Sequence, residues 1–316
     1  MSFESLMPES VLEEVEKATG LKLTSYLSPL PSYINRVYEL RSVDDTGLVA
    51  KFYRPGRWSR EAILDEHRFT LDCQEAEIPV VPPIYLKDGS TLGTFGNLHF
   101  AVFPKRAGRQ LEINDDSDWI RLGSLLGRTH LAGEKNRAEA RITIHPRLST
   151  VADVDYLCRE VIPERFAGQY RDISMQLVNA SAPLFENISV IRIHGDCHRG
   201  NILDRLEEGY LLIDFDDMAM GPPVQDLWLL LPDRADACPR ETELFLKGYE
   251  QFRLFDRSSL RCIEPLRAMR MIYFLAWVSR QSRDYQFRRN FPDWGSDAFW
   301  QREIRDLREQ LSYVLE

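Results

Sequence analysis

Cysteine is sparse in this chain and nowhere paired. The five cysteines, at positions 73, 158, 197, 238 and 262, form no C-x-x-C pair. An odd, scattered set fits thiols kept free in a reducing compartment rather than a disulfide framework. Long hydrophobic runs are missing too: Met271 to Val278, the longest near the C-terminus, is far too short to span a bilayer. The opening residues, Met1 to Ser5, lack the basic-then-apolar pattern of a secretory signal. Basic residues are outnumbered, 40 Lys and Arg against 49 Asp and Glu, for a net charge of −9. That balance argues against wholesale nucleic-acid binding. No repeat or low-complexity tract is present, no G-x-G-x-x-G stands near residues 25–40, and no histidine follows His198. The expectation is a cytoplasmic, monomeric protein with neither a membrane nor a nucleic-acid partner.

What is present is a chain of 316 residues with 44% hydrophobic content. That is enough for a substantial core, and long enough for one large two-lobed domain or two domains. Residues 9–19 read as a helix, and Leu21–Leu30, Val37–Arg41 and Leu48–Tyr53 as strands, the last two joined at Asp44-Asp45-Thr46-Gly47. Ser59 reads as the N-cap of a helix to about Cys73, with Trp58 and Ile63 as a hydrophobic staple. A second hairpin turns at Thr94–Asn97 and returns through Leu98 to Phe103. After Pro104 the pattern becomes helical: 118–132 with Ser117 as its cap, then 152–160, 172–187, 224–231, 240–254, 261–283 and 297–314. One further strand region, around 192–216, interrupts it. Pro104 to Gly108 reads as a linker, which divides the chain into 1–103 and 104–316.

The strand region carries the chemistry. His194-Gly195-Asp196-Cys197-His198-Arg199-Gly200-Asn201 precedes an apolar strand, Tyr210–Ile213, which ends on Asp214-Phe215-Asp216. Asp196 and Asn201 are five positions apart, the spacing of an H-R-D-x-x-x-x-N loop. Asp196 can accept the proton of an attacking hydroxyl, while Asn201 and Asp214 offer hard oxygen ligands to Mg²⁺ on nucleotide phosphates. Acidic and Asn-containing turns are also common in ordinary loops. Here, though, apolar residues flank the carboxylates, and carboxylates entering a core need a cation or a metal. Asp216 is open to two readings, a further metal ligand or a solvated turn residue. Asp226, in the first turn of the following helix, suits that position by charge alone or as an acceptor that steadies the loop. His194 reads as structural, and Cys197 as a small residue in a tight loop.

Phosphoryl transfer also needs a cation on the phosphates. Lys51 lies mid-strand, on the same face as Val49 and Tyr53. On the helix after Ser59, Glu66 falls between Ala62, Ile63, Phe69, Thr70 and Cys73 on the apolar stripe. A carboxylate there is costly without a partner, and Lys51 is the natural one; a solvated strand-edge lysine and a rim glutamate are the plainer readings. Between the first two strands, Ser32 and the turn amides of Pro31–Arg36 could reach phosphate oxygens.

These segments resemble the aminoglycoside phosphotransferase/choline kinase group, which carries H-G-D-x-H-x-x-N and then an apolar strand ending in D-[FL]-[DE]. Within it they are more closely similar to the stress response kinase A (YihE/RdoA) family. The likeness extends through 31–38, 51–55, 101–104, 108–110, 221–222, 224–228 and 264–270, nearly the whole chain. It implies an α+β, two-lobed protein-kinase-like fold, with a small antiparallel sheet and one main helix in the N-terminal lobe and a larger, mostly helical C-terminal lobe. It implies an ATP- and Mg²⁺-dependent serine/threonine protein kinase of a bacterial stress response. Asp196 would then be the base, Asn201 and Asp214 the Mg²⁺ ligands, and Ser32 a residue at the ATP phosphates. Two features depart from ordinary protein kinases: the glycine loop is missing, and only six residues separate Asp214 from Gly221, too few for a long activation loop. A small-molecule hydroxyl kinase of the aminoglycoside, choline or homoserine kind is therefore the alternative. Against a polycationic acceptor stands the stretch 261–290, with Arg261, Arg267, Arg270, Arg280, Arg283, Arg288 and Arg289 against Glu264 and Asp284. Its aromatics, Tyr273, Phe274, Trp277, Tyr285, Phe287, Phe291 and Trp294, suit a pocket or ordinary helix packing.

Overall fold

The computed structural model describes residue 3 and residues 6–282, 284 and 287–316. In chain order the regular elements are α1 (Pro8–Thr19), β1 (Leu23–Leu30), β2 (Arg36–Ser42), β3 (Gly47–Phe52), α2 (Arg60–Glu75), β4 (Gly93–Phe95), β5 (Leu98–Pro104), β6 (Arg109–Gln110) and α3 (Asp116–Gly133). There follow α4 (Val151–Glu160), α5 (Glu164–Ser181), β7 (Ile191–Ile193), β8 (Ile202–Asp204), β9 (Tyr210–Leu212) and β10 (Ala219–Gly221). The chain closes with α6 (Val224–Trp228), α7 (Pro239–Tyr249), α8 (Ile263–Ser279), α9 (Phe287–Asn290) and α10 (Asp297–Leu315). Contacts group these into two compact units. Among the described residues no helix is long and apolar enough to cross a membrane.

The first unit comprises residues 1–141, 194–218 and 244–253. Its five-stranded sheet has the order β1-β2-β3-β5-β4, antiparallel throughout. Period-two alternation in β3 and β5 gives the sheet two apolar faces. Leu48, Ala50, Phe52, Leu98, Phe100 and Val102 join Val11 and Val15 of α1 on one of them. Tyr53, Ala101 and Leu92 join Ile63 of α2 on the other, with Trp58 packed on the same cluster as the staple requires. Lys51 belongs to the second face, so the fold delivers it to α2. The Ser59 hydroxyl caps α2 by accepting from the Ala62 amide at 3.2 Å.

The small antiparallel sheet and its main helix match expectation. Local differences have local causes. Asp115, not Ser117, caps α3, in a reciprocal capping box with Asp118. The helix expected from 172 begins at Glu164, directly after Pro163. Strand β6, two residues long, exists only because it pairs with β8. The Pro104–Gly108 segment lies inside the first unit, which runs on to Arg141. There α3 meets the later half of α7 with almost nothing between the backbones. A Cβ on Gly123 would stand 1.9 Å from the Phe245 carbonyl oxygen, and one on Gly248 1.9 Å from that of Ile120.

The second unit comprises residues 142–193, 219–243 and 254–316. It packs α4, α5, α8 and α10 around Leu157, Tyr170, Leu177, Ile272, Trp300 and Ile304, with β7 and β10 as an antiparallel pair. Asp153 of α4 is buried against Arg280, 3.1 Å away. Burial pushes its carboxyl up to about 6, against the pull of Arg280.

Two stability measurements follow. Gly123→Ala should cost about 1–3 kcal/mol or more by urea denaturation, because backbone cannot retreat like a side chain. Gly168→Ala, in α5 with open space around its Cβ, should gain up to about 1 kcal/mol; equal effects would refute the close helix approach. For Asp153 the raised folded pKa makes the protonated form the stabilising one. That contribution is whole below pH ~4 and lost as pH rises through about 6. Wild type should therefore lose about 2–3 kcal/mol relative to Asp153→Asn between pH 4 and 7.5, and a flat difference would contradict the buried placement.

Candidate active site

Lys51 stands at the centre of a buried charge cluster within the first unit. Its Nζ lies 3.1 Å from Asp216 Oδ1, 3.2 Å from Asp214 Oδ1 and 3.7 Å from Glu66 Oε1. Burial works against the Lys51 ammonium, but Asp216, Asp214 and Glu66 outweigh it and hold its pKa well above the usual lysine range. The expected Lys51–Glu66 pair is present, although the two aspartates stand closer. Glu66 is buried, and desolvation raises its carboxyl against the opposing pull of Lys51 and Arg141. Burial likewise disfavours the Asp216 anion, but Lys51, Arg57 and Arg141 prevail and its carboxyl falls well below the ordinary carboxylate range. Of the two readings open for Asp216, the solvated turn residue is overturned: the side chain is buried among cations.

Several participants carry no motif. Arg141, at the end of the segment after α3, has a fully buried side chain. It donates to Glu66 Oε2 (3.0 Å), the Ala62 carbonyl (2.7 Å) and the Asp216 carbonyl (2.7 Å), with its guanidinium 4.2 Å from the Trp58 ring centroid. Arg57 pairs with Asp216 and, at 2.6 Å, with Asp217. Asn35 donates from Nδ2 to Asp216 Oδ2 (3.3 Å) and accepts the Arg54 amide on Oδ1 (3.0 Å). Behind Glu66, the Tyr53 hydroxyl stands 3.4 Å from its Oε1 and 2.9 Å from His67 Nε2; His67 Nδ1 meets Thr91 Oγ1 at 2.8 Å. Burial, aided by Lys51 and Arg141, lowers the His67 pKa to about 3, so the ring is neutral. The one sequence clue to this set was polarity at buried periodic positions, as with Tyr53 and His67. For Arg141, outside any regular element, there was none.

The candidate loop residues Asp196 and Asn201 lie just before β8 in the short sheet of β6, β8 and β9. Strands β8 and β9 form a hairpin closed at Gly209, whose φ of +83° a side chain would resist. Besides its pairing with β6, the hairpin is tied to other parts of the unit. Leu212 donates to the Pro79 carbonyl at 2.9 Å. The Tyr210 hydroxyl donates to Asp118 of α3 at 2.5 Å and helps hold that carboxyl, against its burial, at about 2. The Ile213 amide donates to the Asn201 carbonyl (3.0 Å), so the residue before Asp214 is fastened to the loop. Asn201 Nδ2 donates to the Asp196 carbonyl (2.9 Å). His198 Nε2 stands 3.5 Å from Asp196 Oδ2. His194 contacts the Ile213 carbonyl at 2.9 Å and the Phe215 ring at 4.6 Å between centroids, a buried structural placement.

The donor set suits a hard cation. The amide nitrogen of Asn201 is used internally, which leaves Oδ1 as its ligand atom, and Asp214 is about half exposed with one carboxylate oxygen on Lys51. Among the described residues no group of three or more His, Cys, Asp and Glu side chains is arranged to hold a metal. One carboxylate and one carboxamide suit a hard divalent cation that keeps waters and takes further oxygens from substrate phosphates. Ser32 lies exposed in the β1–β2 turn, its hydroxyl oxygen accepting the Asn35 amide at 3.2 Å. Through Asn35 that turn is linked to Asp216.

In the second unit the arginine-rich stretch is partly committed to its own fold. Arg267 pairs with Glu264 at 3.4 Å and stacks on Trp228, and Arg280 pairs with Asp153 and stacks on Tyr156. Phe287, Phe291 and Trp294 pack on one another, and Trp294 packs on Phe299 of α10. Phe274 is exposed and stacked on Trp277. Arg283 and Tyr285 lie outside the described residues.

The phosphotransferase enzyme family (APH) matches residues 27–263. The chain is 36% identical over 324 residues to stress response kinase A of Escherichia coli (strain K12), covering 100% of this chain and 95% of that protein. It is 35% identical over 322 residues to the serine/threonine protein kinase RdoA of Salmonella typhimurium (strain LT2), with the same coverage. Among solved structures it resembles the amicoumacin kinase hAmiN in complex with AMP-PNP, Ca²⁺ and Ami (TM-score 0.76, 18% identity, 96% of this chain and 93% of that one). It also resembles the choline kinase LicA of Streptococcus pneumoniae (TM-score 0.66, 16% identity, 96% and 100%). At such identities the structural likeness speaks for the kinase-like fold alone, whereas the family match and the full-length relatives establish kinship: the chain belongs to the phosphotransferase enzyme family and is a phosphotransferase.

Proposed function

We propose that this phosphotransferase moves the γ-phosphoryl group of ATP to a serine or threonine hydroxyl of a protein, with Mg²⁺ as its metal. The observation that carries the reading is the meeting of Lys51 and Asp214, 163 positions apart in the chain and 3.2 Å apart in space. Asn201 supports it, hydrogen-bonded to Asp196 and fastened to Ile213. A protein acceptor is supported by relatives, matched over 95% of their length, named stress response kinase A and serine/threonine protein kinase RdoA.

In this reading residues 1–103 serve the nucleotide and 104–316 supply the base, the metal ligands and the acceptor side. Lys51 turns from its aspartates to the phosphates, with Glu66 keeping its ammonium in place, and Ser32 offers a hydroxyl at the β1–β2 turn. Asn201 and Asp214 hold Mg²⁺, which when bound neutralises charge on the phosphate oxygens. Asp196 accepts the proton of the acceptor hydroxyl as its oxygen bonds to the γ-phosphorus. The bond from that phosphorus to the β–γ bridging oxygen breaks, leaving ADP and a phosphoester.

A second reading, a small-molecule hydroxyl kinase, is favoured by the six-residue path from Asp214 to Gly221, which has no room for a long peptide-positioning loop. A labelled-ATP assay against a generic protein, a panel of small alcohols and amine-alcohols, and the enzyme alone separates the two. Label on protein is expected, and label confined to a small alcohol would overturn the choice of acceptor.

Asp196→Ala should bind nucleotide like wild type while transfer falls about 10²–10⁴-fold. Full turnover in that variant would remove Asp196 from the mechanism. Lys51→Ala should raise KM for ATP and lower kcat together; unchanged kinetics would sink the assignment of Lys51 to the phosphates.

A further inference from the structure

Asp214 adopts a backbone conformation that side-chain-bearing residues disfavour, φ 59° and ψ 69°. A non-glycine residue there costs about 1–3 kcal/mol and persists only when its surroundings hold it. On the upstream side, the Ile213 amide is tied to the Asn201 carbonyl. Downstream, the Asp216 carbonyl accepts from Arg141 Nη1 at 2.7 Å. The same guanidinium holds the first turn of α2 through the Ala62 carbonyl and Glu66 through its carboxylate. All of these groups lie in the first unit. Only a planar fork with several fixed donors can meet three acceptors in three directions while lying against an indole face. Arg57 engages the same turn through the carboxylates of Asp216 and Asp217.

We propose that Arg141 is a positioning residue for phosphoryl transfer, one buried guanidinium fixing both Glu66, which steadies Lys51, and the Asp214–Asp217 turn, which presents the metal ligand. The inference rests on the phosphoryl-transfer reading and adds a coupling to it. The phosphate-binding cation and the metal ligand are set by one side chain, so loosening that side chain loosens both. A residue that merely filled space would change stability and leave metal affinity alone.

The test is Mn²⁺ affinity of the enzyme·ADP complex, followed by electron paramagnetic resonance, with ADP affinity measured without metal and ATP turnover measured in parallel. Arg141→Lys keeps the charge and loses the fork. It should weaken Mn²⁺ binding about 10–100-fold, the usual effect of removing a group that orients a metal ligand. Metal-free ADP binding should weaken as well, because Lys51 loses the support of a fixed Glu66, and kcat should fall. Wild-type Mn²⁺ affinity and kcat in a folded Arg141→Lys protein would overturn the proposal. Glu66→Gln provides a second route should the lysine variant fail to fold. It leaves both carbonyl bonds of Arg141 intact, so Mn²⁺ affinity should hold while the rate falls. An equal loss of Mn²⁺ affinity there would also overturn the proposal, because the metal ligand would then depend on the Glu66 charge and not on the clamp. If wild type transfers no phosphoryl group to water, protein or alcohol, the phosphoryl-transfer reading fails, while the Mn²⁺ titrations still decide what Arg141 holds.

Discussion

The structure of the first unit depends on one constraint: ionised side chains taken out of water must meet opposite charge within hydrogen-bonding reach. Lys51, Arg57 and Arg141 face Glu66, Asp214, Asp216 and Asp217 in a largely buried cluster. Each ion removed from water without a partner costs several kcal/mol, so none of these groups can be moved alone. The cluster draws its members from a strand, a helix, two loops and the turn after β9. Closing it therefore sets the spacing of all five. Its value lies less in stability than in register, because one arrangement satisfies every charge.

That register is what chemistry needs. A lysine already in contact with the carboxylate proposed to hold the metal can exchange an aspartate for a phosphate without a large rearrangement. The strained backbone at Asp214 fits the same picture. Strain is tolerable where neighbours over-determine a conformation, and here the residues on either side are hydrogen-bonded to separate parts of the unit. The chain behind Glu66, through Tyr53, neutral His67 and Thr91, adds no charge and keeps the glutamate from swinging away.

Much of this was legible in sequence. Lys51 and Glu66 announced themselves as charges on apolar faces, where period two in a strand and 100° per residue in a helix put them. Asp196, Asn201 and Asp214 announced themselves by spacing within a short segment. The hairpins, the Ser59 cap and the Trp58–Ile63 staple were readable because each is an interaction between near neighbours. The cap of α3 was misplaced by two residues, because Ser117 and Asp115 are both good cap residues and only the reciprocal bond to Asp118 selects between them.

The sequence by itself determined most of the elements and the kind of chemistry, and it nominated the residues proposed to carry it, since these follow from local periodicity and from motifs read within a few residues. Only tertiary structure decided who pairs with whom. Asp216 reads equally as a metal ligand or a solvated turn residue until three cations are brought around it. Arg141 carries no local signal whatever, because its partners at positions 62, 66 and 216 are distant along the chain and share no period with it. Coulomb energy and hydrogen-bond geometry depend on distance in space, and the chain order does not contain that distance.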